Sequence, residues 1–93
     1  MPLLFSYGTL QDPAVQRASF GRELDGRRDR LPGYAVADGT AAVRHTGDDT
    51  DLVDGTVFDV TDDELATADR HEPGARILTS LDSGVRAWAY LPA

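Results

Sequence analysis

The chain has no cysteine and no lysine. Without cysteine it can form neither disulfides nor thiolate centres, so a cytosolic setting is expected and a secreted disulfide scaffold is excluded. Without lysine, all nine basic residues are arginines; they face sixteen acids, for a formal charge of −7. That field would repel nucleic acid unless a basic patch were set apart. The candidate patch of Arg22, Arg27, Arg28 and Arg30 is interleaved with Glu23, Asp25 and Asp29, and reads instead as a solvated strand face. No apolar run approaches the ~20 residues of a membrane helix. Nor does a basic segment precede the short apolar run near the N-terminus. We expect a soluble, cytoplasmic protein with no nucleic-acid or membrane partner.

Repeats, low-complexity tracts and linkers are also missing, and 93 residues make a single domain, 1–93, near the small end of what can bury a core. There is no Gly-x-Gly-x-x-Gly fingerprint and no Gly-x-Ser-x-Gly elbow around Ser6. His45 and His71 have no partner at ligand spacing. Asp48, Asp49, Asp51 and Asp54 lack the Gly and distal Glu of a calcium loop. Neither a metal nor a cofactor is expected.

What is present is organised around Leu3-Leu4-Phe5-Ser6-Tyr7-Gly8-Thr9-Leu10. The apolar and aromatic run reads as a buried strand, stopped by a Gly able to take angles that other residues avoid. Asp12-Pro13 then reads as a helix start, an acceptor at the N-cap and a Pro at the first helical position. Strand, Gly loop and helix N-terminus in that order would turn unpaired N–H groups toward an anionic ligand. Many such turns bind nothing.

Ala14, Val15 and Ala18 fall at helical spacing in a short helix from Pro13 to about Phe20, stopped by Gly21. A polar stretch from Gly26 ends at Pro32-Gly33, a turn signal. Strands are expected at Tyr34 to Ala37 and Thr40 to Val43, joined by Asp38-Gly39. Leu52 to Val60 is the clearest strand, and Thr61-Asp62-Asp63-Glu64 is a capping box opening a helix that runs to about Glu72. A hairpin follows, Arg76 to Leu81 and Val85 to Leu91, turning at Asp82-Ser83-Gly84, with Trp88 and Tyr90 as sheet-packing rings. The fold class is α+β: a mixed, largely antiparallel sheet curled toward a small barrel, with two short helices.

On the wheel of the second helix, Leu65 and Ala68 form the buried stripe, and Glu72 lies on it, in the last turn. Burial and the helix dipole would both raise the pKa of an inward carboxylate there. Two explanations stand open. The helix could end early and leave Glu72 in solvent or paired with Arg70 or Arg76, or Glu72 could be a general base.

Tyr7-Gly8-Thr9-Leu10 after an N-terminal apolar strand resembles the signature loop of the gamma-glutamylcyclotransferase-like family, which includes the AIG2-like proteins and gamma-glutamylamine cyclotransferases. Similar too are Val53-Asp54-Gly55-Thr56-Val57-Phe58, the helix Leu65 to Glu72, and Ala87-Trp88-Ala89-Tyr90. The resemblance implies that Glu72 is catalytic and that Tyr7, Gly8, Thr9 and Leu10 bind the glutamyl part of the substrate through backbone amides. It implies cyclisation of a gamma-glutamyl group to 5-oxoproline with release of an amine. The family usually carries an aromatic residue and then an Arg shortly after the catalytic Glu; here Pro73-Gly74-Ala75-Arg76 keeps the Arg without the ring, and the stretch from Tyr34 to Leu52 is short. A small-ligand-binding module is the alternative reading. A structural or oligomerising domain, for example a homodimer, is the third, since a partner could supply core or pocket wall that a small chain lacks.

Overall fold

The first and last strands lie side by side within the sheet. A computed structural model describes residues 1–36, 42–72 and 74–91. In chain order the elements are β1 (Leu3–Ser6), a 3-10 turn (Thr9–Gln11), α1 (Pro13–Phe20), β2 (Gly26–Pro32), β3 (Tyr34–Val36), β4 (Val43–His45), β5 (Leu52–Asp59), α2 (Asp62–His71), β6 (Ala75–Ser80) and β7 (Arg86–Leu91). Five strands form one sheet in the order β2-β5-β1-β7-β6, and β3 and β4 form a separate pair. In the large sheet β1 runs parallel to β7, with Leu4 beside Trp88, while the other neighbours are antiparallel.

Alternation along these strands separates two apolar layers. Leu4, Phe58 and Tyr90 pack with Leu65 and Ala68 of α2 and with Leu10 and Leu24. On the other face, Phe5, Val53, Val57, Ala89 and Leu91 pack with Val43 of β4, and Tyr34 of β3 leans on them. The sheet thus lies between two helices and a small hairpin-like pair.

The expectation of a mixed, largely antiparallel sheet with two helices holds. The sheet curls but does not close: β2 and β6 are its edges. The turn after β6 bridges the two edges instead. There the Asp82 N–H donates to the Arg30 carbonyl at 2.8 Å, and the Ser83 hydroxyl donates to the Asp29 carboxylate at 2.5 Å. Strand pairing stops because this contact is made by turn residues, whose backbone no longer runs alongside β2.

Both helix starts are as read. Asp12 accepts from the Ala14 N–H at 2.9 Å with Pro13 at the first helical position, and Thr61 and Glu64 complete the reciprocal capping box. The face of α1 is not as read. Ala14 and Ala18 are exposed, and the buried residue is Gln16, 2% exposed. Its Nε2 donates to the Leu10 carbonyl at 2.7 Å and its Oε1 accepts from the Leu24 N–H at 2.8 Å. A polar side chain satisfied at both ends can occupy the core, and two alanines offer too little apolar area to compete. The pair β3 and β4 is antiparallel as expected, but β4 starts at Val43, later than the expected Thr40; Ala37, the Asp38-Gly39 turn, Thr40 and Ala41 lie outside the described residues.

At Gly55 the backbone of β5 lies close against the end of β1. A Cβ at this position would fall against the Ser6 carbonyl oxygen and the Phe5 ring. Neither backbone nor a buried ring can yield cheaply. Gly55→Ala is expected to lower stability by about 1–3 kcal/mol, read as a shift in the urea midpoint; an unchanged midpoint would show that β1 has room to move.

Candidate functional site

A cavity of about 470 Å³ opens where β1 and β7 end side by side. Tyr7, Gly8, Thr9 and Leu10 form one wall, and Glu72, far away in the chain, lines the same space. Ala42 and Val43 close it from the β3 and β4 side, and Leu91 and Gly74 from the end of the sheet. The structure therefore brings together Glu72 and Tyr7, Gly8, Thr9 and Leu10, the candidate site residues read from the sequence.

The loop differs in detail from the expectation. Gly8 has φ −122° and ψ −145°, outside the left-handed region, and a Cβ there would meet nothing within 4 Å. Its value to the site is the side chain it lacks, which leaves the loop backbone open to the cavity. A 3-10 turn also stands between the loop and α1, so the amides of Thr9 and Leu10 head that turn and not the longer helix. The first N–H groups of such a turn have no acceptor within it.

Gln11 and Gln16 hold the loop, and neither was singled out in the sequence. Gln11 donates from Nε2 to the Gly8 carbonyl at 3.3 Å, while its Oε1 accepts from the Thr56 hydroxyl of β5 at 2.9 Å. Gln16 anchors the far end through the Leu10 carbonyl. A lone amide in a polar stretch carries no sequence signal of such work.

Glu72 is the C-cap of α2, extended at φ −95° and ψ 131°, with its N–H still bonded to the Ala68 carbonyl at 3.0 Å. The helix does end a residue early, yet Glu72 lines the cavity and is only partly exposed. The pairing with Arg76 weighed from sequence is not made: the Arg76 Nε lies 2.8 Å from Asp69 Oδ1, and its guanidinium sits 4.6 Å over the Trp88 ring. Among the described residues no ion pair involves Glu72. Burial pushes its carboxyl above the usual carboxylate range, opposed by the nearby His71.

Asp69 is the neighbour that sequence reasoning passed over, although four residues after Leu65 is the same stripe of the helix. It accepts from the Tyr90 hydroxyl at 2.7 Å as well as from Arg76. The Tyr90 phenol is raised by burial and by that carboxylate, and the Asp69 carboxyl is held low, first by the Tyr90 bond. Tyr7 in turn donates its hydroxyl to the Tyr90 carbonyl at 2.9 Å. Burial, followed by the charge of Glu72, raises the Tyr7 phenol. A chain of contacts thus ties the last turn of α2 to β7 and to the loop.

The profile of the family described as gamma-glutamyl cyclotransferase, AIG2-like, matches residues 4–93. The chain belongs to this family. Among solved structures, this AIG2-like chain is similar to the solution structure of a protein from Arabidopsis thaliana, with a TM-score of 0.79 and 24% sequence identity. The match covers 97% of this chain and 61% of that one, so the AIG2-like chain spans about three fifths of its neighbour's length. At that identity the likeness concerns the fold. No curated protein sequence matches. Among the described residues of this AIG2-like chain, no cluster of three or more His, Cys, Asp or Glu could hold a metal ion, and no helix is long and apolar enough to cross a membrane.

A carboxyl whose pKa is raised by folding opposes folding once it ionises. Glu72→Gln is expected to be more stable than the parent at pH 7 to 8. The difference should shrink as pH falls through the raised native value and vanish below the ordinary glutamate value of 4.5. Thermal unfolding of both proteins across this range checks it, and a variant no more stable at neutral pH would contradict the burial.

Proposed function

We propose that this chain is a cyclotransferase that closes a gamma-glutamyl group to 5-oxoproline and releases an amine, with Glu72 as general base and the Tyr7 to Leu10 loop as the substrate cradle. The observation that carries the reading is a partly buried carboxylate, in no ion pair among the described residues, lining one cavity with the Tyr7 to Leu10 loop. Family membership supports the same class of reaction.

In the reaction, the free α-amine of the glutamyl group attacks its own γ-carbonyl carbon. The new C–N bond closes the ring, and the bond from that carbon to the departing nitrogen breaks. Glu72 takes a proton from the attacking amine and returns it to the leaving nitrogen, so no water is consumed. A base with its pKa moved toward the working pH suits the first transfer better than an ordinary carboxylate. Oxygen charge that builds in the tetrahedral intermediate needs donors already in place, which the loop amides offer. Because nucleophile and electrophile belong to one molecule, most of the task is to hold it folded. The Tyr7 ring is suited to this as a fixed wall, since its hydroxyl is committed to the Tyr90 carbonyl.

One observation favours a second reading, a non-catalytic binding module. Where the family resemblance leads one to expect a ring after Glu72, Gly74 lines the cavity at φ 95°, and a Cβ there would lie 2.8 Å from the Leu91 carbonyl oxygen. On that side the wall is bare backbone, without the expected ring.

The test is release of 5-oxoproline from a panel of gamma-glutamyl amino acids, amines and peptides. We expect product from the parent and a loss in Glu72→Gln of about 10²-fold or more in kcat. Equal turnover by the variant would remove Glu72 as base. No product from any member, with ligands still raising the melting temperature, would leave the binding module.

A further inference from the structure

Strand pairing brings a cation to the side of this site, and two contacts then turn it away. Arg76 stands opposite Tyr90 where β6 pairs with β7, and opposite residues of an antiparallel pair share a face. Tyr90 lines the cavity together with Glu72. The Arg76 side chain therefore leaves its strand on the Tyr90 side, four residues after Glu72. Its Nε lies 2.8 Å from Asp69 Oδ1, and its guanidinium sits 4.6 Å over the ring of Trp88, on the same face of β7 as Tyr90. The same Asp69 oxygen accepts from the Tyr90 hydroxyl at 2.7 Å. Asp69 and Glu72 are three residues apart at the end of α2, a spacing that makes side chains neighbours on a helix. For a guanidinium released by the first carboxylate, the second is the next acid along.

We propose that Asp69 is a positioning residue of this site: it holds Arg76 against Trp88 and so keeps Glu72 free of a cation. The proposal rests on the cyclisation reading for what Glu72 does, and on these contacts for what Asp69 does. The pair suits positioning better than stability, since its side chains are 31% exposed at Arg76 and 37% at Asp69, and ion pairs open to solvent add little. It also persists wherever Glu72 titrates. The Asp69 carboxyl is held low, first by the Tyr90 bond, and stays charged while Glu72, raised by burial, gains or loses its proton.

Other groups around Glu72 do not take the place of Arg76. Arg70 and His71 are exposed at the end of α2, and the pull of His71 on the Glu72 carboxyl is outweighed by burial. Arg44 follows Val43 in β4 and is exposed, so it points to the opposite side of that strand. The phenols of Tyr7 and Tyr90 are raised and stay neutral through the range in which Glu72 titrates. Residues 37–41, 73 and 92–93 include no basic residue.

The experiment follows the Glu72 carboxyl carbon by NMR through a pH titration of the free chain, in the parent and in three variants. Asp69→Asn keeps an acceptor for the Tyr90 hydroxyl but gives up the charge that holds Arg76. The Glu72 midpoint should fall as Arg76 turns to it, and kcat for release of 5-oxoproline should drop by about tenfold or more. An unmoved midpoint would overturn the proposal. Removing the freed cation as well, in Asp69→Asn with Arg76→Gln, should return the midpoint to the parent's value; a midpoint still low there would make Asp69 merely structural and would also overturn it. Arg76→Gln alone reads the arrangement from the other side, even if Asp69→Asn does not fold. Its Glu72 midpoint should match the parent's, whereas a rise would show that Arg76 already acts on Glu72 and that Asp69 does not hold it off. None of these readings needs turnover. The expected midpoints without 5-oxoproline from the parent would bring down the cyclisation reading and leave the role of Asp69 standing.

Discussion

The parallel pairing of β1 with β7 is the constraint on which the site depends. Two parallel neighbours end at the same edge of a sheet, so the chain leaving β1 at Tyr7 emerges beside Tyr90 and Leu91. Neither strand continues the other, and the space beyond their ends is left to loops. On one side the Tyr7 to Leu10 loop fills it, and on the other the segment following α2. Tyr90 joins the two, accepting from the Tyr7 hydroxyl through its carbonyl and donating through its own hydroxyl to Asp69. An antiparallel β7 would have put its C-terminal end at the far edge and left the loop without an opposing wall.

The distribution of charge around α2 follows from this arrangement. Glu64 serves the capping box and also accepts two bonds at 2.7 Å from Arg22, which lowers its pKa and ties the start of α2 to the segment after α1. Asp69 is matched by Arg76 and Tyr90. Glu72 is the acid on this helix's inner stripe left without such a match. Pairing Glu72 with Arg76 would relieve the cost of burial but would also remove the carboxylate's basicity. The structure keeps Arg76 three residues away along the helix, on Asp69, where it fixes the last turn and leaves Glu72 to the cavity.

Much of this was legible in the sequence, for identifiable reasons. Caps were readable because Asp12-Pro13 and Thr61 to Glu64 act through neighbours a few residues apart. The strand read as Leu52 to Val60 and the last hairpin, with its Asp82-Ser83-Gly84 turn, declared themselves through apolar runs and turn residues, and the stripe Leu65, Ala68 through helical periodicity. What stayed hidden depends on partners distant in the chain. Gln16 reads as a solvent-facing helix residue until Leu10 and Leu24 arrive on either side of it. The open edge of the sheet depends on a turn at Asp82 and Ser83 meeting β2, which no local pattern encodes. Gly8 was expected for its angles and matters for its missing side chain. For Glu72, local reasoning could not choose between solvent, an arginine and the cavity; in the structure Asp69 holds Arg76 and Glu72 lines the cavity.

The central claim is that Glu72 lines the cavity as a partly buried carboxyl that no ion pair engages among the described residues. It is most directly tested by following the side-chain carboxyl carbon of Glu72 by NMR through a pH titration of the free protein. The account predicts a midpoint above the ordinary glutamate value of 4.5, in contrast to Glu64 and Asp69, which titrate low. A midpoint at or below the ordinary value would mean that Glu72 is solvated or paired, and would contradict the account.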